Sequence, residues 1–155
     1  MSWPMSSSGP PLLPHTFWTR VRAVANWVNL STPLGLLVAR AGGATITRHG
    51  RGTYLATGYR LGFPVAGAFT IGSVIDSRHD AAYLLDRPLL LRHEDRHVTQ
   101  YAFVLGVVML PVYLVCVGLS WAIAGDHSSY NPFERLADLA DGDYPPPRTR
   151  FSRHP

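Results

Sequence analysis

The sequence predicts an α+β domain. A small sheet, made of a β-hairpin plus one strand, precedes a helix carrying His-Glu-x-x-His, an apolar helical hairpin and a short glutamate-bearing helix. Three observations carry this. Ala44–Arg48 and Thr53–Thr57 are β-rich runs on either side of the glycine-rich His49-Gly50-Arg51-Gly52, the pattern of a hairpin. His93 and His97 stand four residues apart, which in a helix is one turn along the axis and about 40° around it. Ala102–Gly125 holds 24 residues without a charge, interrupted by Gly106 and Pro111.

At 155 residues the chain has room for one core. A Ser/Pro-rich tail is expected over 1–14, a single membrane-associated domain over 15–142 and a Pro/Arg-rich tail over 143–155. The 14 basic residues against 10 acidic ones give a net charge of +4, with arginine dominating. No Arg-rich helix or aromatic-basic alternation marks a nucleic-acid groove, so nucleic acid is excluded as a partner. With charged residues at 15%, anionic lipid headgroups are the expected negative partner. Cys116 is single and lies in an apolar run, a core or lipid-facing position. The first residues lack a basic start followed by an apolar run, so no secretory signal is expected.

Along the chain, Phe17, Val21, Val24, Ala25 and Val28 recur at helical spacing, with Arg20, Arg22 and Asn26 mainly on other faces. Trp18 and Trp27 suit either a membrane interface or packing on the domain. Asn29–Pro33 should stop this helix, and Leu34–Ala39 reads as a short helical run dipping toward lipid. Ala66–Ile75, with β-branched Thr70, Ile71, Val74 and Ile75, is the third strand. Asp86 before Pro88 reads as an N-cap with proline in the first turn, starting the next helix near Leu89.

That helix carries the chemistry. His93 and His97 on one face can both reach a tetrahedral Zn²⁺, while Glu94 between them reaches a water bound to it. Asp95 and Arg96 are unusual there, because the middle positions of such helices are mostly uncharged. A third ligand candidate is Glu134. Asn131-Pro132-x-Glu134 is equally the pattern of a capping box, in which Glu134 would close its own helix start.

The spacing of Glu134 and Asp138, with small Ala137 between them, resembles the gluzincins, whose second helix supplies a zinc-binding glutamate and, four residues on, an aspartate supporting a ligand histidine. The match is closer to a group of small, hydrophobic bacterial proteins of largely unassigned function. Their blocks His-Glu-x-Arg-His-x-x-Gln, Gly-x-x-x-x-Pro-x-Tyr and Asn-x-Phe-Glu-x-x-Ala stand here as His93–Gln100, Gly106–Tyr113 and Asn131–Ala137. The resemblance spans about residues 26 to 140, tightly from 93 onward. It implies a minimal gluzincin-like core with His93, His97 and Glu134 as metal ligands, Glu94 as the catalytic base and Asp138 orienting a ligand imidazole. A sheet edge would hold an extended peptide substrate. Gln100 and Tyr101 line the site or pack in the core. Tyr130, His127 and His79 are oxyanion candidates by residue type only.

The apolar run is long enough to cross a bilayer. A straight helix leaving His97 would put Gly125 about 40 Å away, and residues 126–133 reach back at most about 30 Å. A spanning helix and a His93-His97-Glu134 site are therefore incompatible. A turn between Gly106 and Pro111 removes the conflict, so a monotopic or peripheral membrane protein is expected rather than a spanning one. Three functions remain: a membrane-associated zinc metallopeptidase-like protein; a non-catalytic accessory subunit of a larger membrane complex with a structural or vestigial metal site; or an amphipathic membrane-surface binder without metal, favoured if His93 and His97 face solvent.

Overall fold

The computed structural model describes residues 16–64, 66–104 and 106–147. The tail expected over 1–14 and most of that over 143–155 lie outside them. Strands β1 (Thr45–His49) and β2 (Thr53–Thr57) form the antiparallel hairpin, with Thr47 opposite Leu55. The expected third strand is two: β3 (Ala68–Ile71) and β4 (Val74–Ser77) fold back on each other at Gly72-Ser73. β4 inserts beside β2 in parallel, giving a four-stranded mixed sheet in the order β1-β2-β4-β3. β1 and β3 are thus its edges.

Side-chain alternation divides the two faces. Val74 packs with Ala39 and Ala56 under α2 (Ser31–Ala41). Its neighbour Ile75 joins Leu55, Ala68, Leu84, Leu91 and Val98 under α3 (Ala81–Leu85) and α4 (Pro88–Phe103). α2 therefore lies on the sheet, and the stretch expected to dip toward lipid is a sheet-covering helix beginning at the Ser-Thr-Pro expected to be a break. Asp86 ends α3 instead of capping α4; Asp80 caps α3 and Pro88 opens α4 without a side-chain cap.

α1 (Phe17–Val28) is packed with its polar side inward. Thr19, Arg22 and Asn26 are buried at 4%, 4% and 0% exposure, whereas Phe17, Trp18, Val24 and Val28 stand 61–77% exposed. The buried groups bond to α4: Asn26 Nδ2 to the Val98 carbonyl at 3.0 Å and Arg22 to Asp95 at 2.8 and 3.0 Å. Asn29, just past the helix, donates to the Tyr101 carbonyl at 2.9 Å. An amphipathic stripe in the sequence fixes that a helix has two faces; it does not fix which face meets the protein.

α4 ends at Phe103, and Gly106 turns the chain at φ 54°, where a side chain would meet Asn29. A 3-10 turn over Gly106–Val108 leads to α5 (Met109–Ala124), so Pro111 sits in the first turn of a new helix. Together Gly106–Ala124 makes a 19-residue helical stretch long and apolar enough to cross a membrane by length and composition. Its inward stripe is Met109, Tyr113, Cys116 and Ser120, while Val112, Leu114, Val115, Leu119 and Trp121 are exposed. Beyond α5 the chain doubles back along it. Asp126 accepts the Ser128 and Ser129 amides, Ser120 accepts the Tyr130 amide at 2.9 Å, and α6 (Pro132–Ala137) then returns to α4. α6 ends at Ala137.

Candidate metal centre

α4 presents His93 and His97 on the face turned to α6. The Nε2 atoms of the two rings are 3.2 Å apart, and Glu134 Oε2 lies 3.1 Å from the first and 3.5 Å from the second. These three donors form the one cluster with metal-holding geometry among the described residues. The capping reading of Glu134 does not hold. Asn131 caps α6 through its own side chain to the Phe133 amide, and its main-chain amide bonds to Ser128, leaving Glu134 free to turn inward.

The hydrogen bonds around the rings fix their chemistry. His93 Nδ1 is 2.9 Å from the Asp138 carbonyl, an acceptor only, so the proton is on Nδ1. His97 Nδ1 is 2.8 Å from Gln100 Oε1, and the amide orientation is set because Gln100 Nε2 donates to the Phe133 carbonyl at 2.9 Å. Both Nε2 atoms are therefore left as lone pairs facing each other and a carboxylate. Such an arrangement requires a cation in its midst, either a proton or a metal ion. Without metal it is the proton: burial disfavours charge on His97, but the Glu134 carboxylate outweighs that and raises its pKa to about 9. Burial likewise opposes ionisation of Glu134, yet its bonds to His93 and His97 hold it well below the usual carboxylate range. Two imidazole nitrogens and one carboxylate oxygen are a zinc donor set.

Asp138 acts differently from expectation. Its carboxylate is exposed and lies 3.8 Å from Arg96, and its carbonyl, set by a left-handed φ of 74°, is what engages His93. The clamp holding this segment is Asp141, which takes Arg92 at 2.7 Å and Arg96 at 2.9 Å, while Arg96 also donates to the Ala137 carbonyl. The charged middle of the motif, Asp95 and Arg96, thus ties α4 to α1 on one side and to the segment after α6 on the other. Glu94 points to the sheet, where the Thr70 hydroxyl of β3 donates to its Oε2 at 2.6 Å; burial raises its pKa.

Three contributors carry no clear mark in the sequence. Tyr113 of α5 donates its hydroxyl to Glu134 Oε1. Tyr144 lies edge-on to His93, with ring centroids 5.6 Å apart. Gly142 passes so close that a Cβ there would stand 2.8 Å from His93 Cε1. Of these only Tyr113 stands in a recognisable block, as the last residue of Gly106–Tyr113. Of the oxyanion candidates, His79 stacks on Tyr83, Tyr130 lies beneath Arg135, and His127 packs on Tyr144. Tyr101 is a core residue packed with Ile71, Met109 and Phe133. No family model, curated protein or solved structure matches the chain.

Proposed function

We propose that the chain is a membrane-associated, zinc-dependent metallopeptidase-like protein of the gluzincin type, with His93, His97 and Glu134 as the zinc ligands and Glu94 as the proton acceptor. The observation that supports it best is the pair of opposed Nε2 lone pairs beside a buried carboxylate, a geometry that calls for a cation. Bound zinc supplies a Lewis acid that polarises a carbonyl and lowers the pKa of water from about 15.7 to about 7. The chain's own groups do the rest. Thr70 occupies one oxygen of Glu94 and leaves the other to take a proton. Burial gives that carboxylate the raised proton affinity a base near neutral pH needs. β3 is a sheet edge beside Glu94, so its unpaired main-chain groups suit an extended peptide laid along it.

The exterior supports a monotopic placement. The 19-residue stretch Gly106–Ala124 is long enough to cross by length alone, so the monotopic placement rests on the polar chain that folds back along it. The chain returning along it carries Asp126, His127 and Arg135, so lipid can cover the outward face of α5 only. The outward apolar side of α1 extends the same kind of surface.

A second reading is favoured by one observation. His93, Glu94, His97 and Glu134 are only 1%, 4%, 7% and 2% exposed, and Tyr144 and Gly142 cover His93. A closed site suits a structural metal in an accessory subunit whose apolar faces pack on a larger membrane protein. One experiment separates the two. Full-length protein purified in mild detergent without chelator should hold about one zinc per chain, and Glu94→Gln should keep it while losing cleavage of a mixed peptide library by about 100-fold. Indistinguishable cleavage profiles for wild type and Glu94→Gln leave the accessory reading. Protein that neither carries nor takes up zinc ends the peptidase reading and leaves an accessory subunit with a vestigial site.

A further inference from the structure

Between α1 and α4 lies a cavity of about 360 Å³ that the metal centre does not use, lined by Thr16, Trp18, Thr19, Arg22, Arg51, Thr99 and Phe103. Its charge is unbalanced. Two guanidinium groups, Arg22 and Arg51, share one carboxylate, Asp95, at 2.8 and 3.6 Å. The Nε atoms of both arginines are buried without a partner. The segments outside the described residues contain no Asp or Glu side chain. The hydroxyls of Thr16, Thr19 and Thr99 add short polar groups to the wall.

The position of the cavity says where its anion would come from. Trp18 and Phe103 stand exposed at its walls, and Trp18 is stacked edge-on with Phe17 on the outward apolar side of α1. An anion seated here would thus lie at the level where aromatic rings meet a bilayer surface, with apolar side chains beside it. We propose that this cavity binds the phosphate of an anionic phospholipid headgroup, with Arg51 as the accessible cation and Arg22 as the buried floor. The proposal rests on the reading of the apolar face as lipid-facing.

The test uses full-length protein and sedimentable vesicles, either phosphatidylcholine alone or phosphatidylcholine with about a quarter phosphatidylglycerol. Wild type is expected to partition about fivefold better onto the anionic vesicles, the usual effect of one arginine at such a surface. Arg51 occupies a left-handed turn position at φ 64°, where asparagine is well tolerated, so Arg51→Asn removes the charge without opposing the backbone. Arg51→Asn should abolish the preference, Arg51→Lys should retain part of it, and Arg60→Gln, which removes the same charge from an exposed loop, should leave it intact. Equal binding to both vesicle types overturns the headgroup site and leaves the membrane reading standing, whereas binding to neither removes the membrane reading and the site with it. Equal losses in Arg51→Asn and Arg60→Gln would reduce the effect to net charge and overturn the site. Millimolar inorganic phosphate that erases the preference would mark a pocket for a free anion and overturn the assignment to lipid.

Discussion

The two sides of α4 are packed by opposite rules. Toward the sheet, Leu91 and Val98 bury apolar surface against Leu55 and Ile75, as in a protein dissolved in water. Toward α1, Asp95 and the carbonyls of Val98 and Tyr101 meet Arg22, Asn26 and Asn29, and the apolar residues of α1 face outward. Burial against water drives the first arrangement. The second is what helices adopt where the outside is as apolar as a core and polar contacts hold the helices together. On the membrane placement proposed above, this one helix would be the boundary between two solvents, with the candidate metal centre on it.

The largest effect that would break this comparison is at the centre itself. His97→Ala removes one cation-holding nitrogen and leaves Glu134 a buried carboxylate short of a partner. A loss of zinc together with about 3–5 kcal/mol of stability is expected, the cost of breaking a buried ionic pair by removing one partner. Metal analysis and denaturation of the same samples check both. A variant that keeps its zinc would mean that the three-donor geometry does not hold the ion.

Next in size is the outward face of α5. Leu119→Arg changes a side chain that is 57% exposed and belongs to no core cluster, so denaturation in detergent should be nearly unchanged. Partition into vesicles should fall by about 2–3 kcal/mol, roughly 30- to 150-fold, if that face meets hydrocarbon. Unchanged vesicle binding would assign the face to a protein partner instead. The opposite substitution, Asn26→Leu, sharpens the contrast from inside. It leaves the Val98 carbonyl and Ser73 hydroxyl buried without their donor, at a cost of about 1–3 kcal/mol, although leucine is the more apolar residue. A neutral or stabilising result would place α1 against the domain by ordinary hydrophobic contact.

How much of this is legible in the sequence follows the same division. The β1–β2 hairpin is local: strand-forming residues flank a glycine turn, and both strands fall within a residue of where the pattern puts them. His93 and His97 are legible for the same reason, since helical spacing alone puts them on one face. Glu134 meets them across 41 residues, a convergence set by the turn at Gly106 and the doubling back at Asp126. Sequence spacing names the residue but not the path. The inverted packing of α1 is illegible, because periodicity separates two faces without saying which solvent each will meet. The role of the Asp138 carbonyl is illegible too, since main-chain groups leave no mark on residue identity.

The last expected effect concerns a polar group in the sheet itself, where the rule of apolar burial is broken. Asp76 of β4 is fully buried among its strand neighbours, opposite Ala56 and Phe69, and neither carboxyl oxygen has a partner. Burial, reinforced by the charge of Glu94, pushes its pKa up to about 8. In the unfolded chain an aspartate titrates near about 3.9. Between those values the folded protein keeps a proton that the unfolded chain releases, so folding is linked to proton uptake. The sign follows: this contribution is complete below the unfolded pKa and is lost as pH rises toward 8, by at most about 1.4 kcal/mol per pH unit. Asp76→Asn keeps the shape and cannot ionise, so its stability should fall less steeply than that of wild type between pH 5.5 and 8 and exceed it at the alkaline end. Urea denaturation of zinc-loaded protein across that range measures both slopes. Parallel slopes would mean that Asp76 is already ionised in the fold, stabilised by a cation or water that reaches the sheet from the α2 side.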